Sequence, residues 1–259
     1  MNKLYNGDKL VEWEVTMECN FGCTYCTNLD KSIKPIRDKA LLKSFIESLG
    51  KQHPGTEVFI FGGEPFLHPD IAYIIECFNE FNIPFVIQTN FSKKSVKVMK
   101  SIKSPFKIQI SIHPTEVKLT QLSSLFKIPA DIRTVDVMYT GKAALEYYLR
   151  VKDLLLNSGA DVFLTPITDF GDGVSNLALL EFNRLKKDPN YKKFIRFEEV
   201  ERLGRDRSDL WIDKDFSPKG KPCIYNDKYF LYRSDLEMNN CCYRVKHDGI
   251  CQFDKCFLM

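Results

Sequence analysis

The chain has 259 residues, of which 44% are hydrophobic and 13% aromatic, and this apolar content excludes a disordered or fibrous protein. Its 37 basic and 34 acidic residues give a net charge of +3, which is too small to indicate a nucleic-acid or membrane partner by itself. Residues 1–9 lack the apolar segment of a secretion signal, and no stretch approaches the roughly 18 apolar residues of a membrane span, so we expect a cytoplasmic protein with no membrane contact.

The nine cysteines are clustered along the chain. Three of them are Cys19, Cys23 and Cys26, and five more lie in a second group, namely Cys223, Cys241, Cys242, Cys251 and Cys256. In a reducing compartment clustered thiols are more often metal ligands than disulfides. The two groups therefore predict two metal sites, while Cys77, which shares a helical face with apolar residues, is expected in the core.

Short β-type runs alternate with helical periods from residue 10 to residue 187, which is typical of repeated βα units and a parallel sheet. The predicted strands cover residues 10–17, 57–62, 84–89, 106–112, 132–139 and 161–166. Apolar spacings of three and four predict helices around residues 41–49, 71–81, 96–99, 119–122, 145–156 and 177–185. We predict an α/β protein in which a partial (β/α)6 TIM-like barrel occupies residues 1–200, with ligand chemistry at the C-terminal ends of the strands.

The first cysteine group follows the first predicted strand as Cys19-x3-Cys23-x2-Cys26. Gly22 permits the tight backbone path that turns the three thiols toward one point. A [4Fe–4S] cluster normally takes four thiolates, so three from one loop leave one iron open to a cofactor or substrate. The alternatives are a zinc site that takes its fourth ligand from elsewhere, or buried thiols without a metal.

This loop, CNFGCTYC, resembles the signature of the radical S-adenosylmethionine (SAM) superfamily. In that family the open iron binds the amino and carboxylate groups of SAM, and an electron from the cluster breaks a carbon–sulfur bond to give a 5′-deoxyadenosyl radical, which removes a hydrogen atom from the substrate. The resemblance implies that Cys19, Cys23 and Cys26 hold the cluster and that Tyr25 packs beside the adenine of SAM. It also implies an electron donor such as flavodoxin or ferredoxin.

A second motif, Gly62-Gly63-Glu64-Pro65, ends the second predicted strand. The glycines let backbone groups approach a ligand closely, Pro65 fixes the turn, and Glu64 can accept an ammonium group. The motif resembles the GGEP motif of the same family, which implies that this loop holds the amino group of SAM. Alone, such a motif is also compatible with an ordinary strand-to-helix turn.

Polar residues also end the third and fourth predicted strands. The QTN sequence ending at Asn90 resembles the Thr-Asn-Gly of the family, with Phe91 in place of the glycine. Ser111 occupies a position where many members place a polar residue against the SAM ribose or carboxylate. The resemblance therefore implies that Asn90 and Ser111 contact SAM or substrate, although each could instead cap the following helix.

His113 follows in the sequence SIHP, at the predicted rim. A histidine there could orient the substrate or transfer a proton near neutral pH, and the alternative is a loop residue whose backbone is set by Pro114. Arg133, at the start of the fifth predicted strand, is either a partner for a carboxylate or an ordinary surface arginine.

Residues 201–259 are predicted to form a linker and a small Cys-rich extension, in which residues 228–232 and 237–242 form a β-hairpin. The extension resembles the twitch or truncated SPASM extensions of radical SAM enzymes. The resemblance implies an auxiliary [4Fe–4S] cluster held by Cys223, Cys241, Cys251 and Cys256. A zinc site with the same four thiolates is the alternative, and Cys242 is left out because neighbouring strand residues point to opposite faces.

The resemblance implies a radical SAM enzyme, without indicating whether it is an oxidoreductase, isomerase or transferase. We expect a substrate that is a peptide or protein side chain, or a small molecule. The alternative enzyme modifies a nucleoside or nucleic-acid base, for which the lysine-rich helix near residues 93–103 could contact phosphates. The alternative from another class is a non-catalytic iron–sulfur or zinc protein, which would have no need of an open iron.

Overall fold

The computed structural model describes residues 9–23, 26, 33–139, 142–155, 160–166 and 229–239. In these residues one sheet of eight strands runs in the order β6-β5-β4-β3-β2-β1-β7-β8. Its strands are β1 (Leu10–Thr16), β2 (Val58–Gly62), β3 (Phe85–Thr89), β4 (Lys107–Ile112), β5 (Asp131–Tyr139), β6 (Asp161–Pro166), β7 (Tyr229–Tyr232) and β8 (Met238–Asn239). Strands β1 to β6 are parallel and adjacent in chain order, so the predicted partial (β/α)6 barrel is confirmed.

Helical connections join these parallel strands. The α-helices are α1 (Lys39–Gln52), α2 (Ile71–Glu80), α3 (Lys93–Met99) and α4 (Lys142–Leu155), and two 3-10 helices cover Pro65–Leu67 and Leu119–Lys127. The second 3-10 helix stands where an α-helical turn was expected. Its hydroxyl residues compete for backbone hydrogen bonds, as Ser123 Oγ does by donating to Thr120 O at 3.0 Å, and this disfavours a regular α-helix.

One face of the sheet packs against the helices and forms the core. On β1, Val11, Trp13 and Val15 are buried, because alternate residues of a strand point to the same face. Helix α1 begins after Asp38, whose side chain accepts hydrogen bonds from two backbone N–H groups of the first turn. The helix buries three residues against this face: Leu42, Ile46 and Leu49.

Helix α2 adds Cys77 to the same core. Cys77 is buried together with Ile74 and Phe78 on one face of the helix, so its predicted role as a core residue is confirmed. None of the helices in the described ranges is long and apolar enough to cross a membrane.

Strands β7 and β8 form the predicted hairpin and extend the barrel sheet at its β1 edge. Strand β7 pairs with β1 in parallel and with β8 in antiparallel orientation. The pairing with β1 was not predicted. It is supported on the helix side by the phenol of Tyr232, which lies 3.0 Å from His53 Nε2, and by Phe230, whose ring centroid lies 4.6 Å from that of His53.

The hairpin turn lies at the end of the sheet where β1 leads into the cysteine loop, because β7 and β1 are parallel. There Ser234 O accepts a hydrogen bond from Ile36 N at 3.3 Å. Ile36 O in turn lies 3.0 Å from His68 Nε2, just after the GGEP loop. The hairpin is thus connected to the segment between the cysteine loop and α1.

Candidate active site

The cysteine loop leaves β1 at Thr16 and crosses the C-terminal ends of the strands. Cys19 and Cys23 are half-buried and Cys26 is exposed, and Cys26 N donates a hydrogen bond to Cys23 O at 3.1 Å. Burial raises the pKa of the Cys19 thiol, while hydrogen bonds from the Phe21 amide and from Asn90 oppose this rise. The thiol is therefore neutral at pH 7 until a metal displaces its proton.

The donor set fits an iron–sulfur cluster. Three thiols in one loop at the rim are soft ligands suited to iron–sulfur and zinc centres. In the described part of the chain no group of three His, Cys, Asp or Glu side chains could hold a single metal ion. A [4Fe–4S] cluster does not need three ligands to converge on a single ion, because each thiolate binds a different iron.

The GGEP loop packs against the segment that leads into the cysteine loop. Gly63 N donates to Thr16 O and Glu64 N donates to Glu18 O, both at 2.7 Å. A Cβ atom on Gly62 would lie 2.2 Å from Thr16 O, and one on Gly63 would lie 2.1 Å from Glu18 O. Gly62 also has a φ of 134°, a backbone conformation that favours glycine. Both glycines are therefore required to join the two loops.

The carboxylate of Glu64 is fully buried, with 0% of the residue exposed. Oε1 accepts hydrogen bonds from Phe66 N at 3.2 Å and Thr89 Oγ1 at 2.8 Å, and Oε2 accepts one from Asn90 N at 2.7 Å. Burial raises its pKa to about 7, although these neutral donors favour the charged form. A cation that reached this carboxylate would stabilise its negative charge.

The loop after β3 keeps a tight turn despite its lack of glycine. Phe91 has a φ of 55° and is fully buried, so it adopts the left-handed conformation that the family glycine would take. Phe91 N donates to Thr89 Oγ1 at 3.2 Å, and Phe91 O accepts a hydrogen bond from Gln121 Nε2. Packing and hydrogen bonds thus hold a conformation that phenylalanine rarely adopts.

Asn90, at the start of this turn, contacts the cysteine loop. Its Nδ2 lies 3.7 Å from Cys19 Sγ and 3.1 Å from Asn20 Oδ1. Sequence reasoning placed Asn90 at the site but missed its contact with a cysteine, because the QTN pattern does not indicate which way the side chain turns.

Ser111 lies on the inner face of the barrel, where its Oγ accepts a hydrogen bond from Gln88 Nε2 at 2.7 Å. This face carries further polar side chains that sequence reasoning missed, namely Gln88, Gln109, Thr134, Asp136 and Thr165. Alternation of polar and apolar residues in KIQISI and TVDV is the signal that could have identified Gln109, Thr134 and Asp136.

Two of these inner-face residues are buried acceptors. Asp136 accepts hydrogen bonds from Thr165 Oγ1 at 2.9 Å and from Thr134 Oγ1 at 3.2 Å. Gln109 is only 5% exposed, and its Oε1 has no hydrogen-bond partner. A polar ligand inside the barrel would supply the donor that Gln109 Oε1 lacks.

His113 faces the cysteine loop from the end of β4. Its Nδ1 lies 3.6 Å from Cys23 Sγ, and its ring contacts Phe21 edge-on with centroids 6.1 Å apart. Burial lowers its pKa to about 4, so the imidazole is neutral near pH 7. The structure thus brings His113 to the predicted site as a neutral hydrogen-bonding group.

Arg133 forms an ion pair with Glu57 of the chain itself. The two residues lie at the N-terminal ends of β5 and β2, which are not neighbours in the sheet, so the pair bridges the barrel at the end opposite the cysteine loop. The remaining predicted ligands and contacts lie outside the described residues: Tyr25, Cys223, Cys241, Cys242, Cys251 and Cys256.

Comparison with known proteins identifies relatives of this site and fold. A stretch of 109 residues is 26% identical to the AdoMet-dependent heme synthase of Methanosarcina barkeri and covers 40% of this chain and 30% of that protein. The fold is similar to that of Streptococcus suis SuiB, solved with the precursor peptide SuiA (TM-score 0.63, 15% identity) and with S-adenosylmethionine (TM-score 0.62, 14% identity). Both SuiB comparisons cover 97% of this chain and 64% of SuiB, so the chain spans less than two thirds of these relatives.

Residues 13–165 match the radical SAM superfamily. This range is more than half of the chain and contains the cysteine loop and the GGEP loop. It begins within β1, ends within β6 and includes the four parallel strands between them. The chain belongs to the radical SAM superfamily.

Proposed function

We propose that this radical SAM enzyme binds its [4Fe–4S] cluster through Cys19, Cys23 and Cys26 and removes a hydrogen atom from a substrate held inside the barrel. When bound, the cluster supplies the electron that breaks a carbon–sulfur bond of SAM and so generates the 5′-deoxyadenosyl radical. The observation that supports this proposal best is the pair of 2.7 Å hydrogen bonds between the GGEP loop and the segment entering the cysteine loop. They hold the two loops side by side at one rim.

In this proposal SAM lies between the cysteine loop and the GGEP loop. Gly62 and Gly63 provide close backbone approach, and the buried Glu64 carboxylate favours the amino group of SAM because its hydrogen-bond partners are all neutral. Ser111 and Tyr25 are proposed to contact the rest of SAM, as the family resemblance implies. Pro65 starts the 3-10 helix that keeps this loop in place.

The substrate is proposed to lie against the polar inner face of the barrel. Gln109 Oε1 lacks a partner and Asp136 is a buried acceptor, so this wall suits a substrate that donates hydrogen bonds. His113 directly follows β4, has its Nδ1 3.6 Å from Cys23 Sγ, and is proposed to orient the substrate. Since SuiB has been solved with a precursor peptide, a peptide or protein side chain is the substrate class we favour over a small molecule.

The second candidate function is modification of a nucleoside or a nucleic-acid base. Its support is the row of exposed lysines on and after α3, namely Lys93, Lys94, Lys97, Lys100 and Lys103. These lysines could contact phosphates, but no lysine lies among the polar residues of the inner face described above.

We propose that the C-terminal extension holds the auxiliary [4Fe–4S] cluster through Cys223, Cys241, Cys251 and Cys256. Support comes from the hairpin, which joins the barrel sheet beside β1 and brings its turn to the rim. Strand β8 leads away from this rim, and the segment between Asn239 and Cys251 can return to it at about 3.3 Å per extended residue. We further propose flavodoxin or ferredoxin as the electron donor, as the family resemblance implies. We propose the cytoplasm as the location, because the four described cysteines are free thiols, which persist in a reducing compartment.

The test of the function is anaerobic SAM cleavage. Reduced enzyme should release 5′-deoxyadenosine from SAM, and Cys23→Ala should abolish this release because only three thiolates hold the cluster. Cys77→Ala is the matched control, since it removes a thiol that lies in the core and should leave cleavage intact. Undiminished cleavage by Cys23→Ala, or a purified protein that contains zinc and no iron, would contradict the proposal. Product analysis with peptides and with oligonucleotides then separates the two substrate classes.

A further inference from the structure

The side chain of Asn90, in the turn after β3, contacts Cys19 and Asn20 of the cysteine loop. We propose that Asn90 is a positioning residue that donates a hydrogen bond to the sulfur of Cys19 and thereby raises the reduction potential of the cluster. The inference rests on the proposed ligation of the cluster by Cys19, and it concerns how the protein sets the reduction potential of that cluster.

The orientation of the Asn90 amide follows from its neighbours. Its Oδ1 accepts a hydrogen bond from Ser92 N at 3.0 Å, and a backbone N–H can only donate. The oxygen must therefore face Ser92, and the amino group must face the cysteine loop. The two hydrogens of Nδ2 then have two acceptors, Asn20 Oδ1 at 3.1 Å and Cys19 Sγ at 3.7 Å.

The backbone that carries this amide is also held in place. Asn90 N donates to Glu64 Oε2 at 2.7 Å, and the next residue, Phe91, is fixed in the left-handed conformation and buried. The chain leaving the turn is capped by Ser92, whose Oγ accepts from Ser95 N at 3.2 Å. The backbone of the turn is therefore fixed, and the Asn90 side chain can turn away from Cys19 only by giving up the hydrogen bond that its Oδ1 accepts from Ser92 N.

Hydrogen bonds to the sulfurs are one of the factors that set the potential of an iron–sulfur cluster. A donor near the sulfur stabilises the additional negative charge of the reduced state more than it stabilises the oxidised state. Cys19 Sγ also lies 3.5 Å from Phe21 N, so Cys19 has two donors, of which the Asn90 side chain can be removed by substitution without a change to the backbone. Asn90 thus contacts both Glu64 of the GGEP loop, through its backbone N–H, and Cys19, a proposed ligand of the cluster, through its side chain.

The test is the midpoint potential of the cluster, measured by redox titration with electron paramagnetic resonance detection. Asn90→Leu keeps a similar volume and removes the donor, and we expect it to shift the reduction equilibrium threefold to tenfold toward the oxidised state, about 30 to 60 mV for one electron. Asn90→Asp keeps the contact with Ser92 and places negative charge beside the sulfur, so its potential should fall further. Iron content and SAM affinity are measured on the same samples.

The matched control is Asn79→Leu. Asn79 Nδ2 also donates two hydrogen bonds, to Ile75 O and Pro105 O, both at 2.9 Å, but these are backbone acceptors in α2 and after α3. The midpoint potential of the cluster in Asn79→Leu should equal that of the wild type. An unchanged potential in Asn90→Leu at full iron content would overturn the inference, as would loss of the cluster from both Asn90 variants while the control retains it. A wild-type protein without an iron–sulfur signal would instead contradict the proposed function.

Discussion

Glu64 combines full burial with a position between two functional loops. Its backbone N–H binds the segment entering the cysteine loop, and its carboxylate binds the turn after β3. Because the described part of the chain places only neutral hydrogen-bond donors beside the carboxylate, its charge costs free energy in the absence of ligand. A residue that is unfavourable for stability and well placed for an ammonium group is typical of binding sites.

The raised pKa of Glu64 predicts a pH dependence of stability. The folded-state pKa of about 7 lies above the ordinary value of 4.5, so the folded protein holds the proton more tightly than the unfolded chain. The contribution of Glu64 to stability should therefore fall by about 3 kcal/mol as pH rises from 4.5 to 7.

Chemical denaturation of the metal-free protein across this pH range measures the effect. Glu64→Gln should remove this part of the slope, whatever its effect on stability at one pH, while Glu76→Gln, at an exposed position of α2, should keep it. Parallel stability curves for wild type and Glu64→Gln would show that Glu64 is not the titrating group.

In the turn after β3, Phe91 adopts a left-handed backbone conformation that is unfavourable for residues other than glycine. Left-handed backbone costs a non-glycine residue roughly 1–2 kcal/mol, whereas removal of a buried phenylalanine side chain costs about 3–5 kcal/mol. Phe91 is fully buried, so its packing outweighs the strain.

We therefore expect Phe91→Gly to lower the free energy of unfolding by about 2 kcal/mol, the difference between these two terms. Asn82→Gly is the control, because Asn82 has nearly the same backbone conformation, with a φ of 54°, but is exposed. It should be neutral or slightly stabilising in equilibrium unfolding. A more stable Phe91→Gly protein would mean that strain, and not packing, dominates at this turn.

Elements with strong local patterns were predictable from the sequence. The six barrel strands begin and end within one residue of the predicted bounds, because alternating apolar runs stop at turn residues. The pairing of β7 with β1 was not predictable, since it depends on which sheet edge is open in the folded chain. For the same reason the sequence identified Asn90 and Glu64 as site residues and could not show that they contact each other.

At the scale of the whole molecule, the two ends of the barrel differ in chemistry. One end holds the cysteine loop, the GGEP loop, His113 and the hairpin turn, while the other is bridged by the ion pair of Arg133 and Glu57. Parallel strands bring their C-terminal loops to one rim, so we expect the ligand chemistry at that rim. The hairpin extends this rim past β1.

The last prediction concerns the extension that follows this hairpin. A variant in which Cys251 and Cys256 are both replaced by Ala should lose about half of its iron, because two of the four proposed thiolates of the second cluster are gone. It should still cleave SAM, since the cysteine and GGEP loops are joined to each other by hydrogen bonds within the barrel. It should fail to form product, because the auxiliary cluster is proposed to serve the substrate. Iron and zinc analysis beside 5′-deoxyadenosine and product assays measures all three effects, with Cys77→Ala as the control. Full retention of iron would show that the extension holds no cluster, and loss of zinc in its place would assign the four thiolates to a structural zinc ion.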